Sequence, residues 1–256
     1  MPPAQTCIKT GKIAVAVNNF FKDDQVAACL ELLRSHLPAH AGIYIAGGSI
    51  RNLIIGCLHG YSPVTHDIDV FITGISGDYS LERALRGQRT ERTELGGVRW
   101  YPEPSAHVWD LWLLPNFIII KCFNLDPSIP VLLANIDFNV NAVIYDPFGQ
   151  HLSERGCLRA IRRKILDFNT LRIADSAMIA YRTLLIRHKT DFTLSERMFA
   201  FLKNRLDLNA LIHLRGLLIG KRGKVEGKQI LREFNRVITC RHYADYLQRR
   251  VKFLGA

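Results

Sequence analysis

Two aspartates separated by one residue, Asp67 and Asp69, are the side chains of this 256-residue chain that point most directly to chemistry. They lie in the apolar segment 67–73, whose composition is typical of a β-strand. Successive side chains of a strand alternate between its two faces, so both carboxylates are expected on one face, with Ile68 and Val70 in the core. Two carboxylates held on one face by a rigid strand can bind a divalent metal ion.

A Gly-Gly pair, Gly47 and Gly48, follows an apolar strand and precedes a predicted helix. Glycines at the start of a helix leave room for phosphate oxygens to reach backbone N–H groups and the positive end of the helix dipole. Ser49 and Arg51 complete the predicted phosphate site, although Arg51 can instead form a surface salt bridge. Metal-binding carboxylates beside a phosphate site predict nucleotidyl transfer, with Mg²⁺ and a nucleoside triphosphate (NTP).

A third carboxylate is expected because this chemistry uses two Mg²⁺ ions about 3.5–4 Å apart. Asp110 is the candidate, since it is a lone acid in the apolar, β-rich segment 107–114. An unpaired charge in such a strand would be costly to bury, and a metal ion would explain it. The alternative is an exposed aspartate at a sheet edge. Trp112 shares the face of Asp110, where it can stack on a base or belong to the core.

Residues 47–56, followed by Asp67 and Asp69, resemble the GGxVRDxLLG…DxD signature of the polymerase-beta nucleotidyltransferase superfamily. The nearest branch is that of the class II tRNA CCA-adding enzymes and bacterial poly(A) polymerases. Residues 136–142 (IDFNVNA) resemble a second motif of that branch, RRDFTINA. The resemblance covers residues 43–185 and implies that Asp137 and Asn141 contact the ribose of the nucleotide.

The fold that this resemblance implies is α+β, with a polymerase-beta-like head of mixed sheet and flanking helices followed by an all-helical neck or tail. The activity that it implies is template-independent, Mg²⁺-dependent transfer of a nucleoside monophosphate from an NTP to an acceptor hydroxyl. The acceptor expected from the resemblance and the charge is an RNA 3′ end of tRNA-like kind.

The chain departs from the signature at positions that bear on specificity. Asn52 stands where the family has the aspartate of the Arg-Asp pair. The base-selecting EDxxR helix is matched only by the acid Asp175, and either Arg172 or Arg182 would have to supply the arginine. The sequence therefore does not predict which nucleotide is added, nor that CCA is the product.

Charge is distributed unevenly along the chain. Residues 1–150 have 11 Lys and Arg against 14 Asp and Glu, whereas residues 151–256 have 23 against 9, a net of +14. This asymmetry favours a polyanion as partner of the basic half, although a solvated basic surface is the alternative. The densest basic cluster is the predicted RNA-binding set Arg159, Arg162, Arg163 and Lys164. The segment 221–224 (KRGK) predicts either a second phosphate contact or a solvated loop.

The predicted organisation has three parts: an N-terminal lead-in with one helix (1–42), a nucleotidyltransferase head (43–168) and a basic helical domain (169–256). Strands are predicted at 43–47, 67–73, 96–101, 107–114 and 136–145, and helices at 24–37, 50–58, 79–87, 172–189, 194–205, 207–219, 226–238 and 240–253.

Composition excludes some classes of protein. No apolar run reaches the roughly 18 residues of a membrane span, and the N-terminus lacks the pattern of a secretory signal. The six cysteines are scattered without a CxxC pair, which predicts reduced thiols in a cytoplasmic protein. Two other functions remain open: nucleotidylation of a protein or small molecule, as in toxin- or resistance-type transferases, and a non-catalytic RNA-binding relative.

Overall fold

The computed structural model describes residues 5–94, 96–103, 105–172 and 175–253, and the chain divides after Arg162 into two compact units. In the described part of the first unit, eight strands form one mixed sheet. They are β1 (Thr6–Ile8), β2 (Gly42–Ala46), β3 (Asp67–Thr73), β4 (Thr90–Arg92), β5 (Val98–Trp100), β6 (Val108–Leu113), β7 (Val143–Asp146) and β8 (His151–Glu154).

Helices connect these strands. They are α1 (Lys12–Phe21), α2 (Asp24–Ser35), α3 (Gly48–His59), α4 (Leu81–Ala84), α5 (Ile118–Cys122), α6 (Ile129–Asn135) and α7 (Cys157–Arg163), with short 3-10 turns at Leu114–Asn116 and Asn139–Asn141. The segment predicted as a lead-in supplies β1, which pairs with β8, and α1, which packs on α3. The Asn18 amide accepts a 2.8 Å hydrogen bond from the hydroxyl of Tyr145, which fixes α1 on the sheet.

The strand order is β1-β8-β7-β2-β3-β6-β5-β4. All neighbours are antiparallel except β3 and β6, which run parallel at the centre. Along β3 the side chains alternate as predicted, since Ile68, Val70 and Ile72 are fully buried. The predicted α+β fold, with a mixed sheet, flanking helices and a helical C-terminal region, is confirmed.

An apolar cluster covers part of the opposite sheet face, which carries the aspartates. Phe71 and Trp112, directly opposite each other on β3 and β6, pack against Phe117 with ring centroids 4.9 and 5.6 Å away. Leu132 and Leu133 of α6 belong to the same cluster. Trp112 is therefore a core residue, the second of the two predicted alternatives.

In the second unit, β9 (Ile165–Leu166) and β10 (Thr193–Leu194) pair in parallel. The helices described there are α8 (Ser176–Thr190), α9 (Glu196–Asn204), α10 (Leu208–Ile238) and α11 (Tyr243–Phe253). Helix α10 is interrupted at Gly223, whose φ of 77° and ψ of 169° are not helical. The two helices predicted at 207–219 and 226–238 are thus the two halves of α10. Residues 173 and 174 of the predicted helix 172–189 lie outside the described residues.

The prediction of a continuous strand at 136–145 is wrong. Its apolar alternation is real, because Phe138, Val140 and Ala142 are all fully buried. However, the Asp137 carboxylate accepts the backbone N–H of Phe138, and residues 139–141 form a 3-10 turn. Local side-chain bonds of this kind compete with a strand ladder, so the strand β7 begins only at Val143.

The bounds of other elements differ less from those predicted. The helix predicted at 79–87 is reduced to α4, which begins after the capping hydroxyl of Ser80. The strand predicted at 96–101 is present as β5, and Pro104, predicted to interrupt it, lies outside the described residues. Among the helices of the described segments, none is long and apolar enough to cross a membrane.

Candidate active site

The carboxylates predicted to bind metal lie near one another at the start of β3 and on β6. Asp69 is opposite Asp110 in the parallel ladder, and Asp67 is opposite Val108. Paired residues of adjacent strands project to the same side, so the three aspartates share one face of the sheet. Asp67 is exposed, Asp69 is half-buried and Asp110 is buried. The neighbouring strands, and not the chain order, bring Asp110 to this position.

Asp110 has a partner that was not predicted. Arg99 of β5 lies directly opposite it, and its Nε and Nη2 donate to the two carboxylate oxygens, each at 2.8 Å. This bidentate pair balances the buried charge of Asp110, which is neither exposed nor at a sheet edge. Hydrogen bonding to Asp110 raises the pKa of the Arg99 guanidinium above its usual range, so this side chain stays charged.

The chemistry of the donors fits a hard divalent cation best at Asp67 and Asp69. Both are carboxylates on one face, and hard oxygen ligands suit Mg²⁺. Asp110 has lone pairs beyond those that accept from Arg99, but a cation bound there would lie beside the positive guanidinium. Across the described segments, no group of three or more His, Cys, Asp or Glu side chains is arranged to hold a metal ion. The three-carboxylate site therefore stays a prediction.

The Gly-Gly turn lies against these carboxylates. Gly47 is the N-cap of α3, with a φ of 79° and a ψ of −135° that only glycine adopts without strain. A Cβ atom on Gly47 would lie 2.8 Å from Oδ2 of Asp69. The backbone can thus approach the carboxylate only because no side chain is present, and the start of α3 is placed beside the candidate cation ligands.

The first turn of α3 has hydrogen-bonding groups without helical partners. The N–H groups of Gly48, Ser49 and Ile50 have no acceptor within a helix of this geometry. The Ser49 side chain is 1% exposed, and its Oγ has no hydrogen-bond partner among the described residues. Backbone donors, a buried hydroxyl and the positive helix end fit an anionic group such as a phosphate.

Arg51 is buried and is not at a surface salt bridge. Its Nη1 donates to Oδ1 of Asn141 at 2.7 Å, and its Nε and Nη2 donate to Oδ1 of Asn52 at 3.1 and 3.0 Å. Asn141 in turn donates to Oδ1 of Asp137 at 3.4 Å. Arg51 therefore joins the helix that follows the Gly-Gly turn to the segment of the second predicted motif. A contact between Arg51 and phosphate stays a prediction.

Asn52 also has a structural role that the signature aspartate could not perform. Its Nδ2 donates to the backbone carbonyl of Val64 at 3.4 Å and to Oγ1 of Thr65 at 3.1 Å, and its backbone carbonyl accepts from Oγ of Ser62 at 3.0 Å. A carboxylate has no donor for the first two of these bonds. Asn52 thus fixes the loop that leads into β3 and its aspartates.

The predicted basic cluster is on and just after α7. Arg159, Arg162 and Arg163 are exposed at spacings of three and four residues, which place them on one side of a helix, and exposed Lys164 follows. Helix α7 is fixed to α3 by a 2.8 Å contact between Nε2 of His59 and the carbonyl of Ile161. Exposure is compatible with RNA binding, which stays a prediction.

Asp175, the acid expected at the base-selecting helix, caps α8. Its Oδ1 accepts the backbone N–H groups of Ala177 and Met178 at 2.8 and 3.0 Å. The N-cap bond explains an acid at this position without base recognition. Arg172 and Arg182 are both exposed.

Removing the Arg51 side chain is expected to destabilise the first unit. The Arg51→Met variant leaves the buried Oδ1 atoms of Asn141 and Asn52 without these donors, so the free energy of unfolding should fall by about 2 kcal/mol. Urea unfolding followed by Trp fluorescence measures it, since all three Trp residues lie in this unit. As a control, Arg92→Met removes an exposed pair with Glu82 and should cost less than about 0.5 kcal/mol. Equal losses would contradict the role given to Arg51.

Comparison with known proteins locates this arrangement in an established fold. No family profile matches the sequence, and no curated protein matches it. A CCA-adding enzyme solved with ATP matches with a TM-score of 0.62 at 17% identity, over 90% of this chain and 55% of that one. The Thermotoga maritima CCA-adding enzyme complexed with tRNA matches with a TM-score of 0.60 at 18% identity, over 90% and 54%.

The chain has the fold of the CCA-adding enzymes. The Bacillus stearothermophilus CCA-adding enzyme in complex with CTP also matches, with a TM-score of 0.51 at 16% identity over 82% of this chain. At these identities the likeness establishes the fold, and the resemblance to the CCA-adding enzymes noted in the sequence is confirmed at that level. The chain spans about half the length of the CCA-adding enzymes that it matches.

Proposed function

We propose that this protein is a Mg²⁺-dependent nucleotidyltransferase that transfers a nucleoside monophosphate from an NTP to the 3′ hydroxyl of an RNA. The observation that carries the proposal is the close approach of the Gly47 backbone to the Asp69 carboxylate, because it places the candidate phosphate site at the start of α3 beside the candidate cation ligands. The fold of the CCA-adding enzymes, which were solved in complexes with ATP, with CTP and with tRNA, supports it.

Different residues of the chain would bind different parts of the substrate. The N–H groups of Gly48 and Ser49, with the Ser49 hydroxyl, would receive triphosphate oxygens. Asp67 and Asp69 would hold Mg²⁺, with Asp110 as the third ligand if two ions bind. When bound, the metal supplies Lewis-acid stabilisation of the phosphoryl oxygens and activation of the attacking hydroxyl.

The second motif would orient the nucleoside. Asn141 is held between Arg51 and Asp137, so its amide has a fixed direction next to the start of α3. A fixed amide and a carboxylate can donate to and accept from ribose hydroxyls. Arg99 would keep Asp110 in place when no metal is present. The exposed cluster at residues 159–164 would contact phosphates near the RNA 3′ end.

The test is an incubation of the full chain with RNA, Mg²⁺ and each α-labelled NTP separately, resolved on a denaturing gel. Label on an RNA band, lost with EDTA and in the Asp67→Ala variant, is expected. Label on a protein or small molecule would show that this molecule, and not RNA, is the acceptor. Absence of both label and Mg²⁺–NTP binding would contradict enzymatic function and leave an RNA-binding relative.

A further inference from the structure

The second half of α10 carries a row of four cations, of which only Lys224 belongs to the candidate phosphate-contact segment, 221–224. Lys224, Lys228, Arg232 and Arg236 recur every fourth residue and are all exposed. They line a depression of about 510 Å³ together with Val225, Gln229 and Glu233. A spacing of four residues advances about 6 Å along a helix and keeps side chains on one slowly turning face. These four residues are called the α10 cationic row.

The helix presents this row on a fixed support. Its other face is buried through Gly227, Ile230, Phe234 and Val237. Helix α10 packs against α8, and Glu233 accepts from Arg187 of α8 at 2.5 Å and contacts Nδ1 of His188 at 2.8 Å. The positions of the four cations along the helix are therefore set by core packing.

The two acidic residues in the second half of α10 form ion pairs with cations outside the row. Glu226 pairs with Arg222 at 2.9 Å, and Glu233 with Arg187 and His188. Successive members of the row are like charges at i and i+4, which repel each other on an isolated helix. A polyanion that lies along the row would relieve this repulsion.

We propose that the α10 cationic row binds the sugar-phosphate backbone of the RNA acceptor. The phosphates of a nucleic acid strand recur at about 3.4 Å along a duplex axis, so cations about 6 Å apart can each contact a different phosphate. Contacts to phosphates carry no sequence information, so the row would bind RNA without regard to sequence. The identification of the bound polyanion as RNA rests on the proposed function. Binding of RNA to the row does not itself require that the protein catalyse nucleotide transfer.

The experiment compares two variants of equal net charge by fluorescence anisotropy of a labelled single-stranded RNA. One carries glutamine at the row (K224Q, K228Q, R232Q and R236Q), and glutamine has nearly the helix propensity of lysine and arginine. The other carries K9Q, K12Q, K22Q and R86Q, which remove four exposed cations of the first unit. Circular dichroism and thermal melting confirm that both variants are folded.

The row variant is expected to lose at least tenfold in affinity, and the slope of log K against log salt should become shallower by about 3, from four phosphate contacts on a single strand. The control variant should change neither quantity by a comparable amount. Equal affinities and slopes for both variants would overturn the proposal. So would loss of binding to phosphatidylserine-containing vesicles with RNA binding unchanged, because the row would then serve a membrane surface.

The labelled-NTP assay separates this proposal from the proposed function. If the unsubstituted protein transfers no nucleotide but the row variant still loses RNA affinity, the RNA surface stands and the enzymatic proposal fails. If transfer occurs but the row variant keeps its KM for RNA, the row is not an acceptor surface.

Discussion

Asp69→Asn is expected to lower the rate of nucleotide transfer by at least about 100-fold while the fold is kept, as for loss of a central electrostatic group. Asp69 lies against the Gly47 turn and opposite Asp110, so its carboxylate is shared by both parts of the candidate site. Asparagine preserves its shape and removes its charge. The rate is measured with labelled NTP, and binding of Mn²⁺ by electron paramagnetic resonance gives a second readout that does not depend on turnover.

The matched control for Asp69 is Asp78→Asn. Asp78 is exposed in the loop between β3 and α4, so the same atoms change away from the site. Its rate and Mn²⁺ affinity should equal those of the unsubstituted protein. A near-normal rate in a folded Asp69→Asn protein would remove Asp69 from the cation site, whichever value the control gives.

Gly47→Ala is expected to abolish most transfer, by about 100-fold or more. The added Cβ would lie 2.8 Å from Oδ2 of Asp69, so either the carboxylate or the start of α3 must move. A displacement of about 1 Å at a reacting centre can cost 100-fold in rate. Isothermal titration of Mg²⁺–ATP should show weakened binding in parallel, since the same movement shifts the N–H groups that would receive phosphate.

The Gly11→Ala variant is the control that distinguishes the effect of a Cβ atom close to Asp69 from the effect of backbone strain. Gly11 is the N-cap of α1 with a φ of 95°, and a Cβ there meets nothing within 4 Å. A non-glycine residue held in such a sparsely populated backbone region costs roughly 1–3 kcal/mol, so both variants should lose some thermal stability. Only Gly47→Ala should lose transfer, and a similar loss of rate in both would show that strain alone is responsible.

The sequence alone was enough to predict local features that depend on neighbouring residues. The alternation of Asp67 to Thr73 predicted the bounds of β3, because period-two patterning reports which side chains face a core. The Gly-Gly turn predicted a helix start, since a backbone at positive φ favours glycine. The break at residues 221–224 predicted the interruption of α10 at Gly223.

The local sequence pattern gave a wrong prediction where buried side chains alternate as in a strand but the backbone is not extended. Phe138, Val140 and Ala142 alternate like strand residues and are all buried, yet the backbone forms a 3-10 turn that the Asp137 carboxylate stabilises. Helices α1, α5, α6 and α7 were not predicted, and they are short or belong to the segment treated as a lead-in. Short helices gain most of their stability from tertiary packing, so their own residues signal them weakly.

What only the tertiary structure decided is which side chains meet. Sheet register places Arg99 opposite Asp110 and Asp110 opposite Asp69, and a register cannot be obtained from residue types, because a shift of one residue would turn the same side chains to the other face. The fold likewise brings Arg51 to Asn141, 90 residues away along the chain. The sequence determined which groups are available for chemistry at each strand end and helix start. Their distances and partners follow from the sheet, because long-range packing sets positions that short-range patterns leave open.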